Sequence, residues 1–297
     1  MSLMLTVQSA YRSLRAALSP MYGDREAAQV SAMVMEQLTG FTRSEMLVRD
    51  HLALDANQLA QFDRWQEELL AWRPVQYVLG EAWFSGMRFR VDERVLIPRP
   101  ETEELVEWIV QKWKIESENS KVGEEPAADV LDIGTGSGCI AIALKKRIPD
   151  AVVIAIDKST GALQLARENA AALDADLHVH EIDILDDFQT ASLPRVQVIV
   201  SNPPYVPRSA GAHMRPNVHR YEPHLALFVS DEDPLLFYRV IAVRGLQILA
   251  PGGMLFFEIH AGAGQAVAEL LQQLGYTGVE RKEDLSGLER MVAAVRP

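Results

Sequence analysis

The stretch Val130-Leu131-Asp132-Ile133-Gly134-Thr135-Gly136-Ser137-Gly138 reads as a buried strand running into a glycine-rich turn, and the apolar run Cys139–Leu144 after it reads as a helix. Three glycines at alternate positions let the backbone turn tightly and approach a ligand. The helix that follows offers unpaired N–H groups to something anionic. Working outward, strand and helix patterns alternate: strand Val152–Asp157, helix Ala162–Leu173, strand Leu177–Asp183, strand Val196–Ser201, helix Pro234–Leu249, strand Met254–Ile259, helix Gly264–Leu274 and a closing strand Met291–Val295. Such alternation calls for an α/β fold, a doubly wound parallel sheet with helices on both faces.

The turn alone also suits a strand-to-helix connection without a ligand. Nicotinamide-binding folds use G-x-G-x-x-G, whereas here Gly138 comes one residue early and Cys139 takes the expected position. Cys139 itself reads as a small apolar residue packing the helix. Asp157, at the end of the second strand, is placed to take two ribose hydroxyls, a role common to nucleosides; as a plain residue it is a helix cap. Asp183-Ile184, at the end of the third, offers a carboxylate and an apolar wall to an adenine ring, although Asp186 and Asp187 make a simple run of loop acids the competing reading.

Composition narrows the class. The chain has 297 residues and 48% apolar content, enough for a large domain and a smaller one with ordinary cores. With 29 Lys+Arg against 41 Asp+Glu the net charge is -12, which disfavours holding bare nucleic acid by phosphate neutralisation. A single cysteine leaves no intramolecular disulfide framework, no charged-then-apolar leader opens the sequence, and no run approaches the roughly 18 apolar residues of a membrane span. A cytoplasmic protein with no membrane partner and no metal site is expected.

Residues 1–74 read as a helical bundle. Leu3, Val7, Leu14 and Leu18 share a helical face, as do Val30, Met33, Val34 and Leu38. Thr42 with Glu45 and Asp55 with Gln58 are capping-box patterns, and Leu59, Phe62, Trp65, Leu69 and Trp72 line a last helix that Pro74 stops. Alone, this region suggests a docking module. Residues 75–98 look strand-like and fit a β-hairpin linker. Pro100 and Glu101 start a helix running to Lys114, and Glu116–Pro126 reads as a loop.

The second informative stretch is Asn202-Pro203-Pro204-Tyr205, closing the apolar run Val196–Val200. Asn and two prolines after a strand join no ordinary ladder or helix. They suit methylation of a planar nitrogen, such as an amide or an aromatic amine. Its lone pair is delocalised, and an amide rotation barrier of about 18–20 kcal/mol measures how strongly. The Asn202 side-chain oxygen and the Pro203 carbonyl can accept both of its hydrogens, in bonds that strengthen as positive charge grows. Tyr205 can stack on the planar group and the prolines keep the peptide rigid. A sulfonium methyl donor fits the glycine turn opposite. In the loop beyond, His213, His219 and His224 with Arg208, Arg215 and Arg220 read as a locally basic wall of the substrate cleft, or as an ordinary solvated loop; the spacing does not suit a metal.

Further segments carry a resemblance: Gln76-Tyr77 with Gly80, Phe84 and Gly86; Leu96-Ile97-Pro98-Arg99-Pro100-Glu101-Thr102-Glu103; Tyr221-Glu222-Pro223; and Asp284-Leu285-Ser286-Gly287 with Arg290. Together with the glycine turn and Asn202–Tyr205, they make the chain similar to the HemK/PrmC family of peptide-chain-release-factor glutamine methyltransferases. The resemblance implies a seven-stranded class I methyltransferase sheet over residues 99–297, preceded by a helical domain, residues 1–74, that grips a class I release factor. It implies S-adenosyl-L-methionine held by Gly134, Thr135, Gly136, Ser137, Gly138, Asp157, Asp183, Ile184 and Asn202. It places the glutamine of a Gly-Gly-Gln loop against Asn202, Pro203, Pro204 and Tyr205, with Asn202, Pro203 and Tyr205 catalytic. His260 stands where the family has a flexible glycine, and Ile184 where it often has an aromatic. Asn-Pro-Pro-Tyr also occurs in enzymes that methylate exocyclic base amines, so a nucleic-acid methyltransferase is the alternative.

Overall fold

A computed structural model describes residues 5–119 and 129–297, and within it the chain divides into two compact units, Met1–Gly80 with Arg215–Tyr221 and Glu81–Met214 with Glu222–Pro297. The first unit contains α1 (Val7–Tyr22), α2 (Asp24–Thr39), α3 (Arg43–Val48), α4 (Ala56–Leu70) and α5 (Val75–Leu79). Thr6, Thr42 and Asp55 cap α1, α3 and α4 in reciprocal capping boxes with Ser9, Glu45 and Gln58. Val7, Leu14 and Leu18 pack on Val34, Met35, Phe62 and Leu69 in one apolar core; Leu3, assigned to the same face, lies outside the described residues.

Two local expectations fail here. Trp72 does not extend the face of α4; its φ of +72° takes it out of the helix, and its ring lies 5.0 Å from that of Tyr22. Val75–Leu79 is helical rather than strand-like. Pro74 caps a new helix, Gly80 ends it in the left-handed conformation at φ +73°, and Val75 and Val78, three apart, join the helical core. Residues 75–79 group by pattern with the strand-like stretch after Pro74, but burial of one helical face decides the outcome.

The second unit begins with the hairpin β1 (Glu81–Phe84) and β2 (Met87–Arg90). Phe84 and Phe89 are fully buried in the core of the sheet unit, their rings edge to face at 6.0 Å. Next come α6 (Pro100–Asn119), β3 (Asp129–Ile133), α7 (Cys139–Arg147), β4 (Val152–Asp157), α8 (Thr160–Ala172), β5 (His178–Glu181), α9 (Asp187–Thr190) and β6 (Val196–Ser201). Helix α6 therefore continues through 116–119, where a loop was expected; 120–126 of that loop lie outside the described residues. After β6 the chain forms β7 (Val206–Pro207), a 3-10 turn over Arg208–His213, α10 (Pro216–Tyr221), α11 (His224–Leu227) and β8 (Phe228–Val229). Arg215–Tyr221 groups with the helical unit, where Arg215 pairs with Glu26 at 2.7 Å and the Tyr221 hydroxyl donates to the Ala71 carbonyl at 2.8 Å. Helix α12 (Leu236–Ile248), β9 (Leu249–Glu258), α13 (Gly264–Gln273), β10 (Thr277–Glu283) and β11 (Glu289–Val295) complete the fold.

Seven strands form one sheet in the order β10-β11-β9-β6-β3-β4-β5, parallel except that β11 runs antiparallel to both neighbours. This is the expected doubly wound α/β sheet. Alternate residues divide between two cores: Val130, Val153, Val198 and Phe256 face α6 and α7, while Leu131, Ile133, Ile199 and Phe257 face α12 and α13. The seventh strand, β10, escaped the sequence pattern because its Thr277–Glu283 run is polar and mostly exposed. The strand order reverses between β3 and β6. A crevice at the carboxyl ends of those strands is where such sheets take ligands.

Candidate functional site

That crevice exists, and the sequence-selected residues meet in it. The glycine turn follows β3, Asp157 ends β4, Asp183-Ile184 follows β5 and Asn202 follows β6; Gly134–Ser137, Asp157, Asp183, Ile184 and Asn202–Pro204 all line one cleft. The turn is built from left-handed glycines, with φ +76° at Gly134, +54° at Gly136 and +81° at Gly138. A Cβ on Gly138 would lie 3.2 Å from Ile142 Cδ1 and 3.3 Å from Ala166 Cβ, so that position both needs the left-handed conformation and lets α8 pack close. The N–H groups of Gly134 and Thr135 donate to the Ile156 carbonyl, at 2.9 and 3.0 Å, tying the turn to the neighbouring strand. Asn169 on α8 clamps it from behind, donating to the Ser137 and Arg90 carbonyls and accepting the Arg90 N–H.

The Asp157 carboxylate accepts the Gly136 N–H at 3.0 Å and the Ser159 N–H at 2.9 Å. The helix cap is Ser159, whose hydroxyl accepts from Ala162, so Asp157 is not merely a cap. Burial raises the Asp157 carboxyl above its ordinary value, opposed by these backbone donors. A carboxylate has about four acceptor sites, so one oriented by two donors still takes hydroxyl protons. Asp183 uses one oxygen on the Leu185 N–H of its own turn and sits 3.7 Å from Lys158. Ile182, Ile184, Phe237 and Ile241 give the cleft an apolar side. Backbone donors at a helix start, a part-buried carboxylate and an apolar slot match the charged, diol and ring portions of a nucleoside carrying an amino acid. Burial pushes the Cys139 thiol up to about 12, which leaves it a packing residue.

The Asn202 rim is held by side chains to which sequence patterns gave no role, although Thr102 and Glu222 lie in the segments that carry the resemblance. The Asn202 Nδ2 donates to Thr102 Oγ1 at 3.3 Å, Thr102 Oγ1 donates to Glu258 Oε2 at 2.5 Å, and the Tyr205 hydroxyl reaches Glu258 Oε1 at 3.4 Å. Thr102 and Glu258 are almost wholly buried. Burial lifts the Glu258 carboxyl to about 7, against the pull of Thr102. The Tyr205 phenol is raised by burial and by Glu258, and stays neutral. Arg99 pairs with buried Glu222 at 2.6 Å, and Glu222 also accepts the Ile97 N–H at 3.2 Å; two quoted segments, 96–103 and 221–223, thus lock together. In a third, Asp284 accepts the Ser286 and Leu288 N–H groups, 3.4 Å from Arg290, while the Arg290 carbonyl takes the Ile259 N–H beside Glu258. The His260 ring stands edge-on to Tyr205 at 5.9 Å.

From the segment after Asn202–Tyr205, Pro223, Leu225 and Ala226 line the cleft, while within the helical unit Arg215 pairs with Glu26. Among the described residues there is no His/Cys/Asp/Glu cluster able to hold a metal, and no helix long and apolar enough to cross a membrane. A further buried acid was missed: Asp132 lies beneath the glycine turn, accepts Thr135 Oγ1 at 2.6 Å and is lifted by burial to about 7. A lone acid inside an apolar strand was the available signal.

Comparison with known proteins matches residues 9–80 to the PrmC N-terminal domain and residues 120–218 to the methyltransferase small domain. The chain is 42% identical over 277 residues to a release factor glutamine methyltransferase of Flavobacterium psychrophilum, covering 93% of this chain and 94% of that one. It is 40% identical over 286 residues to that of Bacteroides thetaiotaomicron, covering 95% and 98%. Among solved structures it is similar to a release-factor-specific protein-(glutamine-N5) methyltransferase from Alicyclobacillus acidocaldarius, with 27% identity, a TM-score of 0.42, and 70% and 99% of the two chains covered.

Proposed function

The chain belongs to the release factor glutamine methyltransferase family, and we propose on that footing that it is an S-adenosylmethionine-dependent enzyme methylating the side-chain amide nitrogen of the Gly-Gly-Gln glutamine in class I peptide chain release factors. The observation that carries the reading is the shared cleft, lined both by the glycine turn after β3 and by Asn202–Pro204 after the adjacent strand β6. Gly134, Thr135, Gly136, Ser137, Gly138, Asp157, Asp183, Ile184 and Asn202 hold the cofactor, Asp157 taking the ribose hydroxyls and Ile184 the adenine edge. When bound, S-adenosylmethionine supplies an electrophilic methyl group on a sulfonium.

The chain's own part is to orient the acceptor. Asn202 Oδ1 and the Pro203 carbonyl accept the two amide hydrogens, and Pro204 keeps the peptide stiff. Tyr205, neutral and half-buried, packs against the amide plane. As the nitrogen acquires positive charge, each acceptor bond becomes charge-assisted and worth about 1.5–3 kcal/mol, felt in the transition state more than in the ground state. No strong base is required, because the proton becomes acidic only after methyl arrives. The helical unit, residues 1–74 in the sequence reading and extended by Val75–Leu79 in the fold, serves as the release-factor dock. The substrate works in the cytoplasm, and the enzyme is placed there.

Incubating the protein with tritiated cofactor and purified release factors, RNA or DNA tests the reading. Label is expected in the release factor alone. Label in nucleic acid would replace this reading with base-amine methylation, which the net charge of -12 argues against.

A further inference from the structure

We propose that Thr102 and Glu258 are positioning residues that fix which end of the Asn202 carboxamide faces the reacting nitrogen. The inference rests on the glutamine-methylation reading and deepens it. A carboxamide has two nearly isosteric ends, and only its oxygen can accept a hydrogen from the substrate amide. If Asn202 turned over, its NH2 group would meet another NH2 group, and the bond that strengthens during methyl transfer would become a repulsion.

The geometry decides between the ends. Parallel pairing of β6 and β9 sets Ser201 beside Phe257, so Asn202 and Glu258 emerge together at the carboxyl ends of adjacent strands. Thr102, in the first turn of α6, lies between them. Its hydroxyl has one proton, and a 2.5 Å contact commits that proton to Glu258 Oε2. Thr102 Oγ1 then has only lone pairs for Asn202, and lone pairs select the Nδ2 end, at 3.3 Å. The Asn202 oxygen is thereby left for the cleft. A threonine that gave its proton to Asn202 would select the opposite orientation.

The order of the relay depends on Glu258 being charged. Its carboxyl is faced by Thr102 and Glu101 on α6, Tyr205 after β6, Arg290 on β11 and Cys139 on α7, while the Tyr238 hydroxyl of α12 holds its backbone carbonyl at 3.2 Å. Burial and Glu101 raise it, whereas Thr102, Arg290 and Tyr205 lower it, and the balance falls at about 7. Below that pH a protonated Glu258 competes as a donor to Thr102, whose own proton is then free to turn Asn202 over.

Steady-state kinetics with purified release factor, calorimetric cofactor binding and melting curves test this on the full chain. Thr102→Val keeps the shape and removes the hydroxyl; kcat is expected to fall about tenfold or more, with KM for the release factor and cofactor Kd changing less than about threefold. Thr102→Ser restores kcat to within about threefold, which a packing role for the lost atoms does not explain. Wild-type kcat is expected to drop about tenfold from pH 8 to pH 6, and Glu258→Gln to lack that limb. Wild-type transfer with unchanged kcat in Thr102→Val, or the same pH limb in Glu258→Gln, overturns the relay alone. No transfer to release factor by the wild type overturns the glutamine reading, and the relay with it.

Discussion

The two rims of the cleft are built on different principles. The glycine turn is mainly backbone: its shape comes from left-handed φ angles within five residues, and its ties run to the adjacent strand end, with the Asp157 carboxylate and the Asn169 carboxamide as its side-chain supports. The Asn202 rim is side chain, held by Thr102 a hundred positions earlier and by Glu258 more than fifty later. A site made of local backbone tolerates change in distant residues. A site made of long-range side-chain bonds transmits such changes directly to the reacting group, so damage to the first rim is expected to read out as cofactor affinity and damage to the second as turnover.

The largest test of that contrast is Asn202→Ala. Losing one preorganised acceptor should cost kcat on the order of 10²–10³, while calorimetry finds cofactor Kd raised only a few-fold, since Asn202 is one cofactor contact among several. A large loss of cofactor binding instead would mean that the rims are not separable. Gly138→Ala is expected to do the reverse. Forcing an L residue into the left-handed region costs about 1–2 kcal/mol, and its Cβ crowds Ile142 and Ala166. Weaker cofactor binding by about tenfold and a lower melting temperature should follow, with saturated kcat little changed. Asp157→Asn tests the same rim at its carboxylate. Cofactor Kd should rise by about five- to tenfold, from weakened hydroxyl bonds worth about 1–1.5 kcal/mol; unchanged affinity would remove Asp157 from the ribose.

The smallest effect concerns Asp132 under the glycine turn. Burial lifts its folded-state carboxyl to about 7, whereas the unfolded chain titrates at an ordinary carboxylate value near 4. Between those values the folded state binds the extra proton, so its stability rises as the pH falls from 8 toward 5. Asp132→Asn lacks this contribution. Urea unfolding at pH 8 and pH 5.5 should show the wild type gaining roughly 1–2 kcal/mol more than the variant. Equal gains would mean that the folded carboxyl stays charged.

The same contrast explains what was legible in the sequence. Strand-turn-helix alternation disclosed the sheet, because its central strands are apolar on both faces and their punctuation is glycine. Gly134–Gly138, Asp157, Asp183, Ile184 and Asn202–Tyr205 stood out by type and spacing at strand ends, and the fold brings Gly134–Ser137, Asp157, Asp183, Ile184 and Asn202–Pro204 to one crevice, with Gly138 and Tyr205 flanking it in the chain. Thr102 and Glu222 entered only as members of segments carrying the resemblance and Glu258 only within a strand, since the roles of all three lie in partners far along the chain. Edge strand β10 is polar enough to pass for loop, and Val75–Leu79 took its conformation from the core it joined. Composition gives a charge no direction, so the loop arginines and histidines left two readings open; Arg215 spends its charge on Glu26.

The most direct test is to locate the methyl group. Release factor treated with wild-type enzyme and cofactor carrying an isotopically labelled methyl group, then digested and fragmented in a mass spectrometer, should show the added group on the side-chain nitrogen of the Gly-Gly-Gln glutamine. Asn202→Ala should leave that peptide unmodified at matched cofactor occupancy. Methyl on a different residue, or equal labelling by the variant, would contradict the account.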